Sequence, residues 1–260
     1  MKVKEIIKIM NDYAPETAVC EWDNSGLQIG SEDNEVSKVL VCLDVTPKVV
    51  EEAVSAKAQL IVSHHPFFFF AVNKITDDEK SNMIRSIIKN DINVYSSHTC
   101  FDASKYGINA YCAFRLGIET DSFLENSSDE GLGIGVCGNL RQEVSFEALC
   151  NSVKKIFKAE TLKVSAFVDK GKTVKRAAFC GGAGASYLKK AKELGADVLI
   201  TADASNGKFL EAENIGLPLI TMTHFESESC FVKIMRDILL KETEGVEVLE
   251  SSESDREIFV

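Results

Sequence analysis

The residues of this 260-residue chain best placed to do chemistry are its four histidines. His64 and His65 follow the run Leu60-Ile61-Val62-Ser63, His98 follows Val94-Tyr95-Ser96-Ser97, and His224 follows Leu219-Ile220-Thr221-Met222-Thr223. Each run reads as a strand, so all four imidazoles stand at or just past C-terminal strand ends, the edge at which open α/β sheets place ligands. Two carboxylates come four residues on, Asp102 after His98 and Glu228 after His224. If each segment turns into a helix, positions i and i+4 face the same way and can share an ion. An isolated histidine is more often an ordinary hydrogen-bonded side chain, but an adjacent pair with two His-x-x-x-acid segments points to metal. Three imidazoles and two carboxylates exceed the three or four protein ligands of one zinc, so two divalent ions per chain are expected. The donor types suit Zn, Fe, Mn, Ni or Co and do not choose among them.

The elements that must position these groups are legible as alternating strands and helices. An amphipathic helix is predicted over residues 3–13, a buried strand over 39–45, and a helix to about residue 56 opened by the Thr46-Pro47 cap. Strands at 59–62, 94–96, 162–168, 175–179, 198–201 and 219–221 alternate with helices at 80–90, 108–116, 145–157, 186–194, 207–214 and 228–241. That alternation predicts an α/β fold, two similar lobes with mixed, mostly parallel sheets flanked by helices. The polar, glycine-rich stretch from Glu125 to Gly138 is the expected boundary. It divides a first lobe, 1–125, holding His64, His65 and Asp102 from a second, 126–260, holding His224 and Glu228. The tail from Val246 reads as a last strand followed by a loosely held end.

Two glycine-rich segments bear on ligand binding. Gly133-Ile-Gly135-Val-Cys-Gly138 fits GxGxxG, but no strand precedes it, so the dinucleotide context fails. Gly181, Gly182 and Gly184 lie between a predicted strand and helix, where their N–H groups could cradle a substrate phosphate or other anion. Close strand–helix packing is the plainer reading. Of Phe67–Phe70, at least half are expected in the core, the rest sheltering the metal site or lining an oligomer interface. Trp22 reads as part of a packed turn. The eight cysteines are dispersed, with no CxxC, and several lie in apolar runs as small hydrophobes, with Cys100 a secondary candidate for a soft ligand.

Composition bounds the partners. Forty Asp and Glu against 29 Lys and Arg give a net charge of −11, the wrong sign for non-specific nucleic-acid binding. Apolar stretches are far shorter than a membrane span and the N-terminus does not resemble a signal peptide, so a cytoplasmic location without membrane contact is expected.

In order and at these spacings, several segments resemble the signatures of a family of dinuclear-metal proteins related to Ngg-interacting factor three, known as GTP cyclohydrolase 1 type 2 homologs. They are Glu21-Trp22-Asp23-Asn24-Ser25-Gly26-Leu27-Gln28-Ile29-Gly30, Leu43-Asp44-Val45-Thr46, Ser63-His64-His65-Pro66, Ser97-His98-Thr99-Cys100-Phe101-Asp102, Cys180-Gly181-Gly182, Thr201-Ala202-Asp203 and Thr223-His224-Phe225-Glu226-Ser227-Glu228. The resemblance implies His64, His65, Asp102, His224 and Glu228 as metal ligands, Glu228 bridging, with His98 beside the metals as a general acid or base. It also implies a ring-shaped homohexamer acting on an unidentified small molecule. The chain departs from the family pattern at Cys100, where Asn is common, and at Asn206-Gly207, where histidines are common. The working expectation is a metal-dependent hydrolase acting on a nucleotide-like, phosphoester or cyclic amide substrate, in which a metal-activated water attacks and His98 transfers the proton. The contrasting expectation is a metal carrier or sensor, or an oligomeric adaptor.

Overall fold

A computed structural model describes residues 1–127, 129 and 131–257. The chain divides into two compact units, the first Met1–Phe101 with Ser229–Ser254, the second Asp102–Glu228 with the tail from Asp255. In chain order the elements of the first stretch are α1 (Val3–Tyr13), β1 (Gly26–Ile29), β2 (Lys38–Cys42), α2 (Pro47–Ala56), β3 (Leu60–Ser63), α3 (Glu79–Lys89), β4 (Asn93–Ser96) and the short α4 (Thr99–Ala103). Then follow α5 (Ile108–Leu116), β5 (Ile118–Asn126), β6 (Gly133–Ser145), α6 (Phe146–Phe157), β7 (Lys163–Val164), β8 (Thr173–Phe179), α7 (Leu188–Glu193), β9 (Val198–Ala202), α8 (Asn206–Ile215), β10 (Leu219–Met222) and α9 (His224–Glu228). Helix α10 (Cys230–Glu242) and strand β11 (Glu247–Glu250) complete the first unit.

The first sheet has the order β1-β4-β3-β2-β11, parallel throughout except for the antiparallel edge strand β1. The second has the order β5-β6-β8-β9-β10-β7, with β8, β9 and β10 parallel and the others antiparallel. The mixed α/β class expected from the alternation is therefore what the structure shows. Central strands β3 and β9 are buried at every position, which is why they read as continuous apolar runs. Helices α2 and α3 cover the first sheet through Val49, Val50, Ala53, Ile84 and Ile87, packed on Leu40, Ile61 and Val94. Burial of each large aliphatic side chain there contributes about 1.5–3 kcal/mol. Thr46 caps α2 by accepting from the Val49 N–H, with Pro47 at the first position, as the sequence predicts. No helix among the described residues is long and apolar enough to cross a membrane.

The division expected after residue 125 is not where the chain separates. That position lies in the β5–β6 hairpin, Ile118–Asn126 pairing antiparallel with Gly133–Ser145, and Asp102 belongs to the second unit. Residues 128 and 130 of that stretch lie outside the described residues. The glycines that read as a linker allow close pairing instead: a Cβ at Gly138 would stand 2.0 Å from the Glu119 carbonyl oxygen. The strand predicted at 162–168 shortens to β7, two exposed residues at the sheet edge. The tail is held further than expected, since the Glu253 carboxylate accepts from the backbone N–H groups of Leu43 and Asp44; residues 258–260 lie outside the described residues.

Candidate functional site

Register aligns the donors of the first unit. Cys42 pairs with Ser63 and Ser63 with Ser96 across parallel β2, β3 and β4. Asp44, His65 and His98 each lie two residues beyond those partners, so one sheet edge presents them side by side. The ligand atoms of His64, His65 and His98 lie within 4.8 Å of one another.

The opposite nitrogen of every imidazole is engaged. His64 Nδ1 meets the Ser97 carbonyl at 2.9 Å, His65 Nδ1 the Asp44 carboxylate at 2.8 Å, and His98 Nδ1 the Asp23 carboxylate at 2.9 Å. In the second unit His224 Nδ1 meets Asp203 at 2.5 Å. An oxygen acceptor at Nδ1 fixes the proton there and leaves the Nε2 lone pair for a metal, the arrangement that orients metal-ligating histidines.

The second unit assembles its donors around the loop after β8. His224 opens α9 and Glu228 ends it, so the four-residue spacing brings His224 Nε2 within 2.8 Å of Glu228 Oε2. Gly182 carries a positive φ of 59°, and a Cβ on it would stand 2.4 Å from Glu228 Oε1 and 3.2 Å from the His224 ring. Only glycine leaves that space to the two donors. Asn109, 1% exposed, accepts from the Gly181 N–H at 3.0 Å and donates to the Asp102 carbonyl at 3.0 Å, placing Asp102 beside the same loop. Both carboxylates bear on the buried Cys180, whose thiol is pushed well up by burial and by the charges of Asp102 and Glu228.

Burial opposes a charge on His224, yet the hydrogen bonds to Asp203 and Glu228 outweigh it and raise its pKa to about 10. A setting that retains a proton so firmly is one in which a divalent cation competes for the same electrons, since ligation requires the neutral imidazole. The residues present therefore fit a metal: Nδ1-tethered imidazoles with buried or half-buried carboxylates.

The structure brings His64, His65 and His98 together in the first unit, and Asp102, His224 and Glu228 together in the second. It does not support an anion cradle at Gly181, Gly182 and Gly184. Their N–H groups already donate to Asn109 Oδ1, Ser227 Oγ and the Gly182 carbonyl, and the Glu228 carboxylate stands over the loop. Close packing is the reason for these glycines. Cys100 is fully buried with its sulfur near Ser97 and Ser25, outside the imidazole group, and no disulfide joins the cysteines among the described residues. Trp22 is not packed as expected but 64% exposed. Asp23, Asp44 and Asp203 stand within the signature segments, but the sequence alone assigns them and Asn109 no role; the structure has them set the ring and loop positions. Asp44 and Asp203 carry a usable signal, an acid directly past a buried strand.

A family model described as Duf34/NIF3 (NGG1p interacting factor 3) matches residues 1–256. A GTP cyclohydrolase 1 type 2 homolog of Clostridium perfringens is 33% identical over 98% of this chain and 97% of its own length. A Helicobacter pylori protein named GTP cyclohydrolase 1 type 2 is 32% identical over 91% of each chain. Among solved structures, a Bacillus cereus protein related to NIF3 shares the fold at a TM-score of 0.89 and 22% identity, covering 100% of this chain and 99% of its own. The chain belongs to the Duf34/NIF3 family.

Proposed function

We propose that this chain is a metal-dependent hydrolase that holds two divalent ions through His64, His65, Asp102, His224 and Glu228 and works as a homo-oligomer, a hexamer by family resemblance. The observation that carries the reading is the engagement of all four Nδ1 atoms by oxygen acceptors, which leaves Nε2 as the atom of each ring that would meet a metal. Divalent ions held there supply Lewis-acid polarisation and acidify water. The chain's own residues do the rest. Asp23 holds His98 so that its Nε2 can take or return a proton, Asp44 and Asp203 fix His65 and His224, and Gly182 keeps Glu228 in place. Relatives named for a cyclohydrolase support hydrolysis of a nucleotide-like or cyclic amide substrate.

The test is elemental analysis of the untagged protein beside His224→Ala and Glu228→Ala, with light scattering for its size. About two ions per chain, falling sharply in both variants, is the expected result. Less than one ion per chain, unchanged by either substitution after reconstitution with zinc, manganese or iron, overturns it.

A further inference from the structure

A cavity of about 210 Å³ lies in the second unit between α5 and the β5–β6 hairpin, and none of the four histidines lines it. Its walls are mostly apolar, with Ala110 and Ala113 from the helix, Ile118 and Phe123 from β5 and Val136 from β6. Alternation along β5 brings Ile118 and Thr120 to this face and leaves Glu119 off it. A Cβ on Gly133 would stand 2.5 Å from Cγ of Phe123, so this glycine of the GxGxxG run leaves room for an aromatic wall.

The two ends of the cavity differ in charge. Asp102 and Lys105 stand at the end where α5 begins, and their charges offset one another; Asp102 Oδ1 is shut from solvent. Arg141 stands at the end where α5 stops, held there by its backbone N–H, which donates to the Gly117 carbonyl at 2.8 Å. Its guanidinium carbon lies 4.9 Å from the centroid of the Phe114 ring, which is 63% exposed. No carboxylate pairs with Arg141 among the described residues, and Asp121 of the same hairpin is taken on both oxygens by Arg176. In a chain of net charge −11, a guanidinium left without an acid, set on a water-facing ring beside an apolar hollow, is open to an anion from outside.

We infer that this cavity binds a small carboxylic acid with a flat apolar body, its carboxylate on the Arg141 guanidinium and its body between Ala113, Ile118 and Val136. The inference goes beyond the metal reading and stands without it. The volume suits a ligand of that size: an apolar hollow of roughly 150 Å³ takes up benzene, whereas pockets for drug-sized ligands begin at about 300 Å³. The charge suits a carboxylate, because one guanidinium balances one negative charge and pairs with both carboxylate oxygens. A phosphate monoester carries about −1.5 to −2 at neutral pH and leaves charge uncompensated against apolar walls.

The untagged protein is titrated with 3-phenylpropionate, its neutral amide and acetate, with binding read by ligand-observed NMR and mass by light scattering. Expected are saturable binding of the acid, an affinity for the amide about tenfold weaker, and no binding of acetate below about 20 mM. In Arg141→Met, a substitution at an exposed position that leaves the fold intact, the acid falls to the level of the amide. Ala110→Leu fills the hollow from a half-buried helix position and weakens acid and amide alike, by about fivefold or more. Equal affinity for acid and amide, or no saturable binding of either, overturns the site, as does an acid preference that survives Arg141→Met. An acid response lost in His224→Ala but kept in Arg141→Met puts the carboxylate on a metal and overturns it too. A mass that falls in Arg141→Met, with no acid bound by the parent protein, makes this face a contact between copies of the chain and removes the small-molecule site.

Discussion

Asp23 and His98, 75 residues apart in sequence, form a buried pair: the carboxylate accepts from His98 Nδ1 at 2.9 Å, and none of its own side chain is exposed. The other carboxylate oxygen takes the Thr99 N–H, the Thr99 hydroxyl and the Ser25 hydroxyl. Burial alone would raise this carboxyl, yet the imidazole and hydroxyl bonds hold it well below the usual carboxylate range. In Asp23→Asn an amide replaces an acceptor that five donors need, the Asn24 N–H among them. The expected loss is about 2 kcal/mol of unfolding free energy, read by urea denaturation, since hydrogen bonds to a buried charge are the strong ones. A change below about 0.5 kcal/mol, the level of an ordinary surface substitution, means the carboxylate does not anchor the loop.

Gly182→Ala and Gly216→Ala separate backbone strain from crowding. Both glycines have positive φ, 59° and 65°, but a Cβ at Gly216 meets nothing within 4 Å while one at Gly182 meets Glu228 and His224. Gly216→Ala is expected to cost about 1–2 kcal/mol, the left-handed penalty alone. Gly182→Ala is expected to cost more and to lower bound metal as measured by elemental analysis. Equal stability losses with equal metal content would refute the packing argument.

The same residues show what a sequence can reveal. Parallel strands β3, β4 and β10 are legible because both faces are buried, and with them come the strand ends that carry all four histidines. The β5–β6 hairpin is not legible, because its glycines are there for contacts with Phe123 and the Glu119 backbone, and those partners are set by pairing rather than by local pattern. The acceptors behind the imidazoles divide likewise. Asp44 and Asp203 follow closely on buried strands, whereas Asp23 reaches His98, and Asn109 reaches Gly181, across more than 70 residues.

Arg176 and Asp121 give the fold a dependence on acid. The guanidinium donates to both carboxylate oxygens, at 2.6 and 2.5 Å, and to the Leu194 carbonyl through Nε at 2.8 Å. Arg176, with help from Ser122, lowers the Asp121 pKa to about 2. A carboxyl lowered on folding stabilises above its unfolded pKa, about 3.9, and the contribution fades as pH falls towards 2. With the Asp121 side chain 49% exposed, the pair is worth no more than about 1 kcal/mol and less in high salt. The melting temperatures of the protein and of Asp121→Asn are expected to differ at pH 6 and converge near pH 2. A constant offset across that range would contradict the assignment.

Asn109 offers the sharpest test of how the second unit holds its donors. Its amide is 1% exposed and bridges two backbone groups, the Gly181 N–H and the Asp102 carbonyl. Asn109→Ala leaves both groups buried without that partner, at an expected cost of about 2–4 kcal/mol. Asn109→Asp keeps the acceptor for Gly181 but replaces the donor to the Asp102 carbonyl with a carboxylate, adding negative charge near Asp102 and Glu228. If Asn109 acts only through stability, the two variants lose metal in proportion to their unfolding. If it sets the position of Asp102, metal affinity falls in Asn109→Asp at temperatures where the fold is intact, read by competition with a chelator. The geometry predicts the second result, because the Asp102 carbonyl is the group whose partner is lost.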